Sequence, residues 1–231
     1  MPERDYSAGA VSKFEEPLPD LSADRARALE LVPVSRETTE RLDRFVSLVV
    51  ERNRMTNLIA ASTVPHIWTR HVADSLQLLS LAQGRIWADL GSGGGFPGLA
   101  IACALAGSPE HTVHLVESRE RKAAFLTEAV QTVGLPAVVH TARIEDIAER
   151  LPPIDIVTAR AVAPLPKLLG YIYPLVKKGA KALLMKGQDV EAELTQASRY
   201  WRIASQLVPS KTDSAGRIMI VSALERHRQG P

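Results

Sequence analysis

Asp89, the glycines at 91, 93, 94, 95 and 98, and Glu117 form a set of residues able to hold a small polar ligand. The stretch Trp87-Ala-Asp-Leu-Gly-Ser-Gly-Gly-Gly-Phe-Pro-Gly98 reads as a strand, a tight loop and the start of a helix. Residues 86–90 are apolar apart from Asp89. Glycines let the backbone turn sharply and let a ligand come close to it. Pro97 suits a first helical turn, where a missing N–H costs nothing. The first N–H groups of the helix that follows are free to meet a polar ligand. An α/β sheet holds nucleotide-like molecules in this way.

The spacing narrows the ligand. The dinucleotide pattern G-x-G-x-x-G needs glycine where Phe96 stands, and no Gly-Lys-Ser/Thr follows to make a P-loop. What remains, Asp-Leu-Gly-Ser-Gly-x-Gly, resembles motif I of S-adenosylmethionine-dependent methyltransferases. An acid at Asp89 suits a ligand carrying an ammonium and a sulfonium, and repels a pyrophosphate. The next apolar segment, residues 112–116, ends in Glu117. That acid stands near the roughly 20 residues expected of a carboxylate that accepts ribose hydroxyls.

The elements that must position these residues follow from periodicity. Residues 1–21, with Pro2, Pro17 and Pro19 among charges, read as a flexible tail. Helices are expected over residues 23–31, from a cap at Ser35 through Leu42, Phe45, Val46, Val49 and Val50, and over 63–81. Together they make an N-terminal helical subdomain, residues 22–83. From Arg85 strands alternate with helices. Strands are expected near 85–90, 112–117, 136–141, 154–159, 179–185, 203–209 and 217–223, and helices near 97–106, 119–133, 164–176 and 189–200. This pattern predicts a Rossmann-like α/β fold with a mainly parallel seven-stranded sheet over residues 84–226. The last two strands, around Asp213-Ser-Ala-Gly216, are expected to close it as an antiparallel hairpin.

Composition bounds the function. The 231 residues are 45% hydrophobic, enough for a substantial core, and carry a net charge of +2. So small an excess excludes a globally basic nucleic-acid coat, and any RNA contact must come from a local patch. Residues 160–202 supply one, with eight basic side chains against three acids. Arg160, Lys167, Lys177, Lys178, Lys181 and Lys186 fall at the ends of its elements, where several could converge on one cleft. The single Cys103 excludes an internal disulfide and a cysteine-built metal site, and is expected in the core. No leader pattern or membrane-length apolar run is present, so a cytoplasmic protein is expected. Trp68 and Trp87 read as packing residues.

Four segments resemble the bacterial 16S ribosomal RNA guanine-N7 methyltransferases, the family also known as glucose-inhibited division protein B. They are Asn57-Leu-Ile with Arg70-His-Val-Ala-Asp-Ser-Leu76; Asp89 to Gly98; Glu117 with Arg121-Lys-Ala-Ala-Phe-Leu126; and Arg143-Ile-Glu145 with Ala159-Arg-Ala161 and Lys186-Gly-Gln188. The family usually has a larger apolar residue where Ala73 stands. The resemblance implies methylation of N7 in the guanine at position 527 of 16S ribosomal RNA. It places Gly91, Gly93, Phe96, Glu117, Ile144, Glu145 and Arg160 at the cofactor. It assigns Arg143, Arg160 and Lys186 to the methyl-transfer centre or the RNA side, and His71, Asp74, Arg121 and Lys122 to the substrate. The implied partner is 16S RNA or the small ribosomal subunit, with no metal and no membrane, and the protein is expected to act as a monomer.

The chemistry is compatible with the residues. Guanine N7 has a lone pair and no proton, so its attack on a sulfonium methyl needs no general base. Positioning then carries catalysis. The Asn/Asp-Pro-Pro-aromatic motif of amino-group methylation is absent, and Cys103 is misplaced for cytosine C5 chemistry. These residues do not select N7 by themselves. A methyltransferase for a small molecule or protein, and a non-catalytic cofactor-binding protein, stay open on residues alone. His71 and Asp74, three apart, are expected to share a helical face, and Arg70 and Asp74, four apart, can pair for about 0.3–0.5 kcal/mol.

Overall fold

A computed structural model describes residues 19–227. Most of the expected tail, residues 1–18, lies outside the described residues. The strands are β1 (Ile86–Leu90), β2 (Thr112–Glu117), β3 (Ala137–Thr141), β4 (Ile156–Arg160), β5 (Lys181–Lys186), β6 (Trp201–Pro209) and β7 (Arg217–Arg226). They form a sheet of order β3-β2-β1-β4-β5-β7-β6. β1 to β5 are parallel, and β7 pairs antiparallel with both β5 and β6. The strand order reverses at β1, so the loop after β1 opens at a switch point, where ligands bind in such sheets.

Helices cover both faces. They are α1 (Ser22–Leu31), α2 (Arg36–Asn53), α3 (Asp74–Leu76), α4 (Gly98–Leu105), α5 (Glu120–Val133), α6 (Ile144–Ile147), α7 (Leu165–Lys177) and α8 (Val190–Ala197). One core layer packs Phe45, Val46 and Val49 of α2 against Leu99, Ile101, Phe125 and Leu126 of α4 and α5. The N-terminal helices thus share one core with the sheet face beneath them. The second layer packs Leu168, Leu169 and Ile172 of α7 against Leu90, Val157 and Leu184. Each such aliphatic side chain, fully buried, contributes roughly 1.5–3 kcal/mol. Trp68, Trp87 and Cys103 are core residues, and burial pushes the Cys103 thiol up to about 12.

Ser35 caps α2 as expected, its Oγ accepting the Thr38 N–H at 3.2 Å. The strands lie within two or three residues of their expected limits. Three local features differ. The helix expected over 63–81 is broken into a 3-10 turn (Ala61–His66), a π-helical stretch (Trp68–Ala73), α3, and a second 3-10 turn (Gln77–Ser80). Pro65 inside the first turn cannot continue an α ladder. The Asp24 carboxylate of α1 instead caps the next stretch, accepting the Trp68 and Thr69 N–H groups at 2.8 and 3.2 Å. Pro97 occupies the cap position just before α4 rather than a turn inside it. The short α6 has no counterpart in the expected elements.

Candidate active site

The candidate cofactor cleft is built from one loop and one strand end. Gly91, Gly93 and Gly95 all adopt positive φ, at 74°, 54° and 90°, which side chains with a Cβ rarely tolerate. The Gly91 and Ser92 N–H groups donate to the Val116 carbonyl at 2.8 and 3.0 Å, tying the loop to β2. Glu117, 7% exposed, ends that strand. Its Oε2 accepts the Gly93 N–H at 2.9 Å and its Oε1 accepts the Arg119 N–H at 2.8 Å. Each oxygen keeps a second lone pair for a further donor. The resulting cavity measures about 450 Å³. Gly91, Gly93, Phe96, Glu117, Ile144, Glu145 and Arg160 all line it, as do Lys122 and Arg143. Arg121 does not; it is exposed on α5.

Asp89 does not line the cleft, contrary to its expected electrostatic part in holding the ligand. It is buried beneath the loop, 1% exposed. Its carboxyl accepts the Gly98 N–H at 3.2 Å and the Thr158 hydroxyl at 2.8 Å, fastening β1 to β4 and to the start of α4. Burial raises its pKa, and these hydrogen bonds oppose the rise. A Cβ at Gly98 would lie 2.7 Å from Asp89 Oδ2 and 2.4 Å from Leu115 Cδ2, so only glycine fits there.

A second cavity of about 370 Å³ adjoins the first, and Arg160 and Ala161 line both. Ala161 holds a positive φ of 55°, an uncommon conformation for a residue with a Cβ. Arg160 ends β4 and is fixed on several sides. It donates to His71 Nδ1 at 2.7 Å, to the Arg70 carbonyl at 3.2 Å and to Asp74 Oδ2 at 3.4 Å. Its guanidinium lies 5.7 Å from the centre of the Phe96 ring. That ring packs in turn against Phe45 and His71, each at 5.1 Å. Burial lowers the Arg160 pKa, while Asp74 opposes the shift.

His71 is a neutral imidazole. Burial first, then the Arg160 and Arg70 charges, pull its pKa down to about 3. A guanidinium only donates, so Nδ1 must accept from Arg160 and the ring proton sits on Nε2. Nε2 then donates to Thr63 Oγ1 at 2.9 Å, and that hydroxyl donates to the Ala60 carbonyl at 2.7 Å.

Asp74 ties its own segment to β4 and to the turn between β6 and β7. Its Oδ1 accepts from Thr212 Oγ1 at 2.6 Å and Gln77 Nε2 at 2.8 Å, while Oδ2 faces Arg160. The expected Arg70–Asp74 pair does not form. Arg70 pairs with Asp213 at 2.8 Å instead. The π-helical stretch adds a residue to the turn, so positions four apart no longer stack as they do on an α-helix. His71 and Asp74 do line the same cavity. Lys186 ends β5 with its side chain 10% exposed, and pairs with Glu193 of α8 at 2.6 Å.

The basic segment 160–202 divides. Arg160 and Lys186 line the second cavity and Lys167 lines the first. Lys177, Lys178 and Lys181 do not join them. α7 runs back toward the amino ends of the strands, which leaves Lys177 and Lys178 at its far end and Lys181 at the start of β5. Lys178 donates to the Glu149 carbonyl there. Residue spacing did not reveal Thr63, Ala161, Glu193, Ser210, Thr212, Asp213 and Arg217 as cavity residues. The 213–216 turn was visible as a hairpin, and its place against Asp74 was not.

A glycine loop at the switch point, a ribose-type acid at the end of β2 and an antiparallel β7 define an S-adenosylmethionine-dependent methyltransferase. The fold is similar to the O-methyltransferase TomG from Streptomyces achromogenes in complex with S-adenosylmethionine. That match has a TM-score of 0.57 and 15% identity, covering 88% of this chain and 97% of that one. It is also similar to an O-methyltransferase from Bacillus cereus, at a TM-score of 0.56 and 16% identity, covering 87% of this chain and 98% of that one. Residues 38–218 match the GidB family, described as rRNA small subunit methyltransferase G, and the chain belongs to that family. A ribosomal RNA small subunit methyltransferase G from Bradyrhizobium sp. strain BTAi1 is 56% identical over 209 residues, covering 90% of this chain and 94% of its own. One from Nitrobacter hamburgensis is 57% identical over 212 residues, covering 91% and 82%.

The first cavity fits this cofactor on its own chemistry. The Glu117 carboxylate has lone pairs to spare for two hydroxyls. The space beside Gly93, where nothing lies nearer than 3.7 Å to a built Cβ, is left for a ligand. Among the described residues no group of three or more His, Cys, Asp or Glu could hold a metal ion, and no helix is long and apolar enough to cross a membrane.

Proposed function

We propose that this chain methylates N7 of a guanine in 16S ribosomal RNA, the residue at position 527 implied by its resemblance. The carrying observation is the second cavity, joined to the cofactor cleft at Arg160 and Ala161 and lined by Arg70, Lys186 and Arg217. S-adenosylmethionine supplies an electrophilic methyl group on its sulfonium. Glu117 would hold the ribose hydroxyls, Ile144 and Glu145 would flank the adenine, and Gly91 and Gly93 would let the ligand lie against the backbone. Arg160 and Ala161 stand where the two cavities meet, and the methyl group would pass beside them.

The side chains fit a reaction that needs no base. His71 has both ring nitrogens engaged and is neutral, so it orients Arg160 instead of taking a proton. The buried Cys103 thiol, held up at about 12, is no nucleophile. Arg160 and Lys186 supply positive potential beside the base, and Arg143 and Lys122 extend it along the cofactor side, where RNA phosphates would lie. Residues 22–83 then serve as the wall of the acceptor cavity, and residues 84–226 as the methyltransferase domain. The small ribosomal subunit, in the cytoplasm, is the partner we infer for a monomeric enzyme.

Mass spectrometry of 16S RNA tests this reading after incubation of small subunits with the protein and isotopically labelled S-adenosylmethionine. A single N7-methylguanosine carrying the label supports it. Label in another nucleoside, or none in RNA, contradicts it.

A further inference from the structure

The second cavity contains four carboxylates, and they differ in what they still have to offer. Asp74 is occupied by Thr212, Gln77 and Arg160. Asp213 takes Arg70 on one oxygen and the Ala215 N–H on the other. Asp189 is exposed at the rim. Glu193 is different. Its Oε2 accepts both the Leu165 N–H at the start of α7 and the Lys186 ammonium. Its Oε1 accepts no hydrogen bond from the described residues, although the side chain is only 26% exposed. One oxygen is clamped from two elements, and the other stands unpartnered in the cavity wall.

We propose that Glu193, paired with Lys186, is the specificity-determining residue that selects guanine. This rests on the guanine-N7 reading above and adds to it how the base is read. N7 and the Watson–Crick edge are neighbouring sides of a purine that meet at the six-position substituent, O6 in guanine. With N7 turned to the cofactor cleft at Arg160 on β4, the adjoining edge, beginning at O6, faces Lys186 at the end of the neighbouring β5 and Glu193 beside it. That edge of guanine presents an acceptor, O6, followed by two donors, N1–H and the N2 amino group. An ammonium beside an open carboxylate oxygen presents the complementary order. Adenine reverses the first two positions. Its amino group would meet the ammonium and its N1 lone pair would meet the carboxylate. A buried polar group left facing the wrong partner is what makes such a site discriminate.

The test uses small subunits assembled on 16S RNA that carries guanine or inosine at the target position, introduced by splinted ligation. Inosine keeps N7, O6 and N1–H and lacks only the N2 amino group. Single-turnover methyl transfer is measured for the full chain and for Glu193→Gln. We expect the unaltered enzyme to be about ten- to a hundredfold slower on inosine. Glu193→Gln should be at least about tenfold slower on guanine and treat the two bases within about twofold of each other. The ratio of rates in one preparation does not depend on the fraction folded, so a weakened α7 cannot imitate this result. Equal slowing of Glu193→Gln on both bases, with the preference intact, overturns the assignment. So does an unaltered enzyme that does not distinguish the bases. Absence of label at guanine N7 with the unaltered enzyme is a separate outcome, which overturns the function itself.

Discussion

The proposed cofactor cleft and the proposed acceptor cavity meet at Arg160, yet they are made by opposite means. The first is mostly backbone: three positive-φ glycines and one strand-end carboxylate, all within residues 91–117. The second is made of side chains from segments far apart in the chain, with Thr63, His71, Asp74, Arg160, Lys186, Glu193 and Thr212 drawn together by topology. A backbone-made site tolerates little change at its glycines and much change around them. A side-chain network fails in proportion to the hydrogen bonds removed. Four effects, ranked by size, bring out that contrast.

The largest effect belongs to the glycine loop. Gly98→Val forces a Cβ into Asp89 and Leu115, and unfolding in denaturant should show a loss of about 3 kcal/mol or more. Gly93→Val meets no neighbour but must hold a β-branched residue at a φ of 54°, so stability should fall by about 1–3 kcal/mol with the fold retained, while calorimetry shows no cofactor binding. Undiminished binding by Gly93→Val would break the description of the cleft. Next comes Arg160→Lys. A lysine cannot present the planar fork that reaches His71, Asp74 and the Arg70 carbonyl together. Single-turnover methyl transfer should fall roughly a hundredfold, about 2.7 kcal/mol of barrier. A loss under threefold would show that the three contacts are incidental.

The third effect is one of pH. Folded His71 titrates at about 3 against an ordinary 6.5, so between those values the unfolded chain binds a proton that the folded chain refuses. Its contribution to stability is complete above about 6.5, is lost as the pH falls toward about 3, and is level below that. His71→Asn should therefore flatten the acid side of the stability curve, by at most about 1.4 kcal/mol per pH unit. Urea unfolding at about pH 7 and about pH 5 checks this, and parallel curves for the two proteins would refute it. The smallest effect is that of Lys178→Ala, at the far end of α7. Methyl transfer should stay within about twofold and stability within about 0.5 kcal/mol. A loss of activity larger than that of Arg160→Lys would relocate the RNA-facing side.

What the sequence made legible follows the same division. The alternating strands and helices, the closing hairpin and the Gly91–Glu117 cleft are local patterns, and each appears in the structure close to its expected place. Asp89 was visible as an acid beside the glycines, but nothing local says that Gly98 and Thr158 consume it. Arg70 and Asp74, four apart, pair on an α period, and the π-helical stretch changes that period. The lysines of α7 and β5 looked like one patch because spacing along the chain does not show which end of a helix returns to the cleft. Ser210 and Thr212 carry no local signal, since only the β5-β7-β6 pairing brings the hairpin to Asp74, and Glu193 meets Lys186 only because α8 packs back beside the end of β5.

Asp74→Asn separates the two regions most directly. It disturbs the contacts to Arg160, Thr212 and Gln77 without touching the glycine loop or Glu117. Cofactor affinity by calorimetry and methyl transfer to small subunits are to be measured on the same preparation. Affinity should stay within about threefold of the unaltered protein, and transfer should be at least about tenfold slower. Equal losses in both would contradict it, because the acceptor network would then be part of the cofactor site.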